Sequence, residues 1–213
     1  MKKKRLHPFG VYLVSGMILM MALFAGSAFG ESDQTLSKNT KPVPRVDENT
    51  LQPGLAVAYI YGFWRHMDEM LSDKAANRKA KPGEPIPFIN HQFGKTGLIF
   101  GSGANRGVGV KMTGFIRLPK PGTYQFMAKS NDGIRVFVHN QRVIDDPAVH
   151  GDRLSEAGEV NISDPGWYPL QILYFQRKGS AVLEMHWKRP GDETFSIIPA
   201  EAYMHTAPAA EKK

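Results

Sequence analysis

Alternating apolar and polar positions dominate the middle of the chain. Segments 123–129 and 134–138 each alternate with a period of two, the pattern of a strand that covers a core on one side. The apolar face predicted for these two strands consists of Tyr124, Phe126, Ala128, Ile134, Val136 and Val138. The polar segment 130–133 separates them, so we predict two antiparallel strands joined as a hairpin by a short turn.

Short strand-like segments continue on both sides of this pair. They are predicted at 55–63, 86–93, 98–100, 108–118, 159–162, 168–175, 181–187 and 197–198. Helical spacing occurs in segment 64–71, where Trp64, Met67, Met70 and Leu71 predict a short helix that packs on the core. Turns rich in glycine and proline separate the later strands. The sequence therefore predicts an all-β protein, an antiparallel β-sandwich with one short helix.

The N-terminal segment has the composition of a targeting sequence. A basic stretch at 2–5 precedes the uncharged segment 8–30, which ends in small residues. This pattern predicts a secretory signal peptide over 1–30, cleaved after Gly30, and hence a periplasmic or extracellular protein. An uncleaved anchor helix is the alternative, because the uncharged segment approaches membrane-spanning length.

Polar composition marks two further segments outside the predicted domain. Segment 31–53 is rich in Ser, Thr, Asn, Lys and Pro and predicts a flexible linker. The folded domain is predicted over 54–205, and the small, charged segment 206–213 predicts a disordered tail.

Charge and cysteine content exclude some function classes. Removing residues 1–30 lowers the formal net charge from +7 to +3, since four basic residues and no acidic residue are lost. The predicted domain has no basic block interleaved with aromatic residues, so we expect no nucleic-acid partner. The chain has no cysteine, so its stability depends on a hydrophobic core and not on disulfides.

An ordered series of short motifs resembles the PA14 domain, a β-sandwich module of secreted bacterial and fungal proteins. Segment 114–146 contains Gly-Phe-Ile, Gly-Thr-Tyr-Gln-Phe, Ser-Asn-Asp-Gly-Ile-Arg-Val-Phe-Val and Val-Ile-Asp in the order of that family. Further matches lie at Gly54, Leu55, Tyr59, His150, 166–175 and 179–187. The resemblance covers roughly 54–205 and is more specific for the fold than for a function.

The resemblance implies a binding site at the turn between the first two strands. In carbohydrate-binding PA14 domains, two adjacent aspartates at this turn hold Ca²⁺, which chelates vicinal sugar hydroxyls. Asn131 replaces the first aspartate here, whereas Asp132 and Gly133 match. The resemblance therefore implies Asn131 and Asp132 as ligands of a Ca²⁺ cofactor, and Asn131, Asp132 and Gly133 as glycan contacts. The alternative is ordinary turn chemistry, because Asn and Asp favour turns without any ligand.

Two other groups of residues are candidates for binding. Trp167 follows a Pro-Gly turn, so we predict an exposed ring that stacks on a sugar. A second polar cluster consists of Asp145, Asp146, His150 and Asp152. We interpret this cluster as a loop that caps the sandwich. A metal site is the alternative, although the histidine spacing is unlike that of structural zinc sites.

The sequence carries no recognisable catalytic motif. It lacks a Gly-x-Ser-x-Gly elbow, a His-Glu-x-x-His helix and a cysteine nucleophile. We therefore predict an exported, non-catalytic module that binds cell-surface or envelope glycans. The alternative is a structural or protein-interaction module of the cell envelope, with an envelope protein as partner. Membrane contact is expected only through an uncleaved signal segment.

Overall fold

The computed structural model of the chain describes residues 46–72 and 79–207. The predicted signal peptide and most of the predicted linker lie outside these residues, as does nearly all of the predicted tail. In the described residues no helix is long and apolar enough to cross a membrane.

Strands make up more than half of the described residues. In chain order, the strands are β1 (Leu51–Pro53), β2 (Leu55–Tyr61), β3 (Lys81–Ile86), β4 (Asn90–Gly94), β5 (Val108–Leu118), β6 (Gly122–Asn131), β7 (Ile134–Val138), β8 (Gln141–Asp146), β9 (Arg153–Leu154), β10 (Gly158–Ile162), β11 (Gly166–Gln176), β12 (Ala181–Lys188), β13 (Ser196–Ile197) and β14 (Tyr203–Thr206). One α-helix, α1 (Met67–Leu71), and two short 3₁₀ helices, Glu48–Thr50 and Ala200–Ala202, complete the elements of these ranges.

The strands form two antiparallel sheets. Sheet A has the order β10-β6-β12-β13, with β9 beside β6 and β4 beside β12. Sheet B has the order β1-β14-β5-β11-β7-β8, with β2 pairing with both β5 and β3. The inner faces of the two sheets share one buried apolar core. The predicted antiparallel β-sandwich is therefore confirmed.

Each strand contributes alternate residues to this core. All six apolar positions predicted for the first two strands are fully buried. The largest buried side chains are aromatic, and the core includes Tyr124 and Phe126 from sheet A and Tyr168, Tyr174 and Tyr203 from sheet B. Such rings bury much apolar area, which suits a domain that has no disulfides.

The predicted hairpin between the first two strands is wrong. β6 pairs with β9, β10 and β12 in sheet A, whereas β7 pairs with β8 and β11 in sheet B. The turn between β6 and β7 therefore carries the chain from one sheet to the other. Alternation identifies the buried face of a strand but does not identify its partner, so the sequence pattern fits both arrangements.

The helix α1 covers part of the outer face of sheet B. It is shorter than the predicted segment 64–71, and its N-terminus is capped by His66, whose Nδ1 accepts a hydrogen bond from the Asp68 N–H. Met67 and Met70 pack with neighbouring Trp64 onto two outward residues of β11. Those two residues are Leu173 and Phe175. The predicted helix is confirmed, but it packs on the outer face of sheet B and not on the main core, and Leu71, one of the four predicted contact residues, is 45% exposed.

Some predicted boundaries differ from the structure. β1 occupies the last three residues of the predicted linker and pairs with β14, and the predicted tail begins at Thr206, the last residue of β14. The predicted strand 86–93 is divided between β3 and β4, and 98–100 lies in a turn.

Candidate functional site

The turn from β6 to β7 lies in the interior and not at the tip of a hairpin. Asn131 ends β6, Asp132 and Gly133 follow, and the peptide bond between Asn131 and Asp132 is cis. Asn131 has 6% of its surface exposed and Asp132 has 2%. The residues predicted to meet a ligand directly are therefore largely enclosed by the sandwich.

The Asp132 carboxylate is bonded to the main chain. Its Oδ2 accepts a hydrogen bond from the Arg177 N–H at 2.7 Å, and the His150 N–H lies near the same carboxylate. Burial raises the pKa of Asp132 above its usual value, and these two main-chain N–H groups partly oppose this rise. The turn backbone bonds to β11 as well, from Asp132 N–H to the Phe175 carbonyl and from Phe175 N–H to the Gly133 carbonyl.

Asn131 links the turn to two other loops. Its side-chain Nδ2 donates to Asp152 Oδ1 at 2.7 Å and lies 3.3 Å from Ser180 Oγ. Its main-chain carbonyl accepts a hydrogen bond from the buried Tyr174 hydroxyl at 2.5 Å. Asp152 is exposed and Ser180 is half-buried, so these two side chains form the solvent-facing rim of the turn.

Gly133 is required for packing. A Cβ atom at this position would lie 2.6 Å from Phe175 Cε1 and 2.8 Å from the Pro147 carbonyl oxygen. Real Cβ atoms do not approach other atoms so closely, so a side chain would push these neighbours apart. Packing alone therefore explains the glycine at position 133, without any direct contact with a ligand.

The residues of this turn do not fit the calcium site that the family resemblance implies. Asp132 is buried and its carboxylate already accepts the Arg177 N–H. Asn131 supplies an uncharged amide in place of a carboxylate, whereas calcium sites gain affinity from the number of charged ligands. Among residues 46–72 and 79–207, no group of three or more His, Cys, Asp or Glu side chains is placed to hold a metal ion.

The prediction that the Trp167 ring is exposed is wrong. The residue is only 8% exposed, and the Arg117 guanidinium lies over its ring, 5.7 Å from the centroid. Trp167 stands near the start of β11, whereas the turn contacts Phe175 near its end. Eight residues of strand separate Trp167 from Phe175 by about 26 Å. Because the turn with Asn131 contacts Phe175, Trp167 and Asn131 cannot contact one sugar ring together.

The second predicted polar cluster is divided between two sets of ion pairs. Asp145 binds Arg135 at 2.7 Å and Arg142 at 2.9 Å. Asp146 binds Arg153, and its Oδ2 lies 3.2 Å from Nε2 of His150, whose side chain is only 4% exposed. These contacts hold the loop that follows β8 against the sandwich.

Some residues of the site were not predicted from the sequence. Arg177 lies in the turn at 177–179 between two predicted strands, Ser180 follows that turn, and Tyr174 lies in the predicted strand 168–175. The signal available in the sequence is the polar turn at 177–179, since a loop next to a binding turn can supply polar groups. The strand pairing that brings them to Asn131 is not visible in the sequence pattern.

Comparison with solved structures supports the fold. The PA14 domain of the MpAFP antifreeze protein is 16% identical, covers 80% of this chain and 97% of its own, and has a TM-score of 0.61. The PA14 sugar-binding domain from an RTX adhesin is 19% identical, covers 72% and 98%, and has a TM-score of 0.57. The epithelial adhesin 9 A domain from Candida glabrata, in complex with Galβ1-4GlcNAc, is 9% identical, covers 81% and 98%, and has a TM-score of 0.61.

Three further comparisons concern a longer protein of similar fold, the curated proteins and a family model. An anti-sigma factor domain-containing protein is 19% identical with a TM-score of 0.58, and this chain spans about half of its length, 51%. No curated protein matches the chain significantly. The family model of the PA14 domain matches residues 92–201, which is more than half of the chain. The chain therefore belongs to the PA14 domain family.

Proposed function

We propose that this protein is a non-catalytic carbohydrate-binding module that binds glycans at the rim of the turn between β6 and β7. The observation that carries the proposal is the convergence of Asn131, Asp152 and Ser180 from three separate parts of the chain. Two PA14 domains of the same fold support the ligand class. One is described as sugar-binding, and the other is in complex with Galβ1-4GlcNAc.

The rim residues divide into ligand contacts and supporting residues. Asp152 is exposed and Ser180 is half-buried, so their oxygens are accessible to the hydroxyl groups of a sugar. A carboxylate accepts hydrogen bonds from two hydroxyls, and such charge-assisted bonds are stronger than neutral ones. Asn131 fixes the position of Asp152 by donating to its Oδ1. Asp132 fixes the start of the neighbouring loop by accepting the Arg177 N–H.

The proposed chemistry is recognition without bond breaking. Asp146 and Arg153 form an ion pair beside the rim, and His150 contacts Asp146, so these charged groups already have partners. Glycan binding in this proposal depends on hydrogen bonds with the side chains of Asp152 and Ser180 and on no metal ion. Calcium assistance through Asn131 and Asp132 is implied by the family resemblance alone, and the buried Asp132 carboxylate, which accepts the Arg177 N–H, does not support it.

Export is the second part of the proposal. The basic stretch at 2–5, the uncharged segment 8–30 and its small-residue end support cleavage of a signal peptide and a periplasmic or extracellular location. Cell fractionation followed by N-terminal sequencing tests this part. We expect a mature N-terminus at Glu31. An intact N-terminus in the membrane fraction would instead support the anchor helix.

A glycan array, read with and without a chelator, tests the ligand class. We expect binding to at least one glycan under both conditions. Asp152→Ala should weaken binding about tenfold or more, because it removes charge-assisted hydrogen bonds, and Ser180→Ala should weaken it less. Glu193→Ala removes an exposed carboxylate beyond the end of β12 and serves as the matched control. An array without any bound glycan would contradict the proposal and favour a protein-interaction module.

A further inference from the structure

A groove of about 430 Å³ lies on the outer face of sheet B, away from the turn between β6 and β7. Its lining includes Thr113 of β5, Phe137 of β7, Pro169 and Gln171 of β11, and Asn140 of the turn after β7. Gln171 lies four residues, about 13 Å, from Phe175 on β11. Phe175 is the residue that contacts the turn between β6 and β7. The groove is therefore a separate depression on the same sheet.

Strand register builds the floor of this groove. Gln171 pairs with Thr113 on one side and with Phe137 on the other, so these three side chains form one row across three strands. Neighbouring strands are about 4.8 Å apart, so the row spans about 10 Å. Pro169 lies on the same face two residues earlier, where its ring adds apolar surface and no side-chain hydrogen-bonding group.

The groove remains open because α1 covers only the adjoining part of the sheet. The helix residues Met67 and Met70 pack over Leu173 and Phe175, and the half-buried Phe137 packs against the same cluster. Gln171 occupies the next outward position of β11 and stays partly exposed. The edge of the groove near β7 is formed by the two-residue turn of His139 and Asn140, both with positive φ, and Asn140 is exposed there.

The lining has the chemistry of a site for an uncharged, hydroxyl-rich ligand. It contains one hydroxyl, two side-chain amides and one aromatic ring, and no charged side chain. Within the part of the chain that the structure describes, the side chains of Thr113, Asn140 and Gln171 form no hydrogen bond with protein groups. Amides donate to and accept from hydroxyl groups, and an aromatic ring offers an apolar face to the C–H side of a sugar.

We propose that this groove is a second glycan-binding site, which holds a neutral sugar residue between the Phe137 ring and the amides of Asn140 and Gln171. The inference rests on the proposed function for the ligand class but not for the site. Lys111 and Arg117, the charged outward residues of β5 on either side, lie outside the lining. Arg142 lies opposite Phe137 on β8, but it is also outside the lining and is paired with Asp145 at 2.9 Å.

Calorimetric titration of the full chain with defined oligosaccharides tests this site. The neutral probes are cellopentaose, xylopentaose and mannopentaose, and the charged probe is tetragalacturonic acid. Gln171→Ala removes one amide. Asn140→Gly removes the other and keeps the turn, because glycine accepts the positive φ at this position. Gln125→Ala, a partly exposed glutamine on β6 of the other sheet, is the matched control.

We expect a neutral probe to bind, and each groove variant to weaken its binding about fivefold to tenfold, as expected for one lost hydrogen bond. The Gln125→Ala variant should retain that binding. Binding of neutral probes that neither groove variant changes, or preferential binding of tetragalacturonic acid in the groove, overturns the inference. Loss of binding only in Asp152→Ala overturns the proposal of a glycan site in the groove and leaves the proposed function intact. Absence of any glycan ligand on the array overturns both.

Discussion

The hydroxyl of Tyr174 donates a hydrogen bond to the main-chain carbonyl of Asn131 at 2.5 Å. Tyr174 belongs to a central strand of sheet B, whereas Asn131 is the last residue of a sheet A strand. The bond therefore joins the two layers of the sandwich at the point where the chain crosses between them. Burial strongly raises the pKa of the Tyr174 phenol, so it remains a donor at neutral pH.

Tyr174→Phe should destabilise the domain. It leaves a buried carbonyl without its donor, which costs about 1–3 kcal/mol of unfolding free energy. Urea unfolding measures the loss. Tyr61→Phe is the control, because its hydroxyl also donates to a carbonyl, that of Ser102, but is only half-buried. Water can replace that bond, so we expect a loss below about 1 kcal/mol. Equal losses in the two variants would contradict the role given to Tyr174.

Asp132 should make stability depend on pH. Its pKa is raised above the usual 3.8, mainly by burial. The pKa of this carboxyl group is higher in the folded chain than in the unfolded chain. Its contribution to the free energy of unfolding therefore falls as pH rises from 3.8 through the folded-state pKa. Asp132→Asn cannot ionise but keeps an oxygen for the Arg177 N–H. We therefore expect Asp132→Asn to gain stability relative to the wild type as pH rises.

Unfolding by urea at several pH values above about 4 gives this difference. A difference between the two proteins that is constant with pH would show that the Asp132 carboxyl is not perturbed. Asp132→Ala is the companion variant. It leaves the Arg177 N–H without its acceptor, so we expect a loss of about 1–3 kcal/mol at all pH values tested.

Gly133→Ala should destabilise the domain because the new methyl group has no space. The added Cβ would lie 2.6 Å from Phe175 Cε1 and 2.8 Å from the Pro147 carbonyl. Overpacking of this kind costs about 1–3 kcal/mol. Thermal unfolding compares it with Gly151→Ala, where no atom lies within 4 Å of the new Cβ. Similar melting temperatures for both variants would refute this packing argument.

Calcium should leave the melting temperature unchanged. The Asp132 carboxylate is buried and accepts the Arg177 N–H, and the neighbouring residue is an uncharged asparagine. A ligand that binds only the folded chain raises its apparent stability, so thermal unfolding with millimolar CaCl₂ and with chelator detects a site. A rise in melting temperature that disappears in Asp132→Ala would restore the calcium site implied by the family resemblance.

Local alternation predicted the strands well because it depends only on neighbouring residues. The segments 108–118 and 134–138 coincide with β5 and β7, and the predicted apolar faces are buried. Partner choice depends on residues far apart in the chain, so the crossing between sheets after Asn131 was predicted as a hairpin. That error placed Asp132 at an exposed tip, whereas it lies inside the domain.

Exposure on the outer faces was harder to predict for a related reason. Trp167 lies on the outer face of its strand, yet Arg117 on the adjacent strand covers its ring. Glu184 alternates with the apolar residues Leu183 and Met185 of β12, yet it is only 8% exposed and contacts Gln92, Lys129 and His186. In both cases the covering side chain comes from another part of the chain, and a single-strand pattern carries no information about it.

The pairing of β1 with β14 places Leu51 directly opposite Thr206. The two ends of the domain are therefore separated by about one strand spacing, close to 5 Å. A host protein could accept such a domain within a single surface loop, because entry and exit require almost no span. Since these two strands are antiparallel, tension applied between the ends would unzip them one hydrogen-bonded pair at a time, and the rest of the sandwich would initially carry no load.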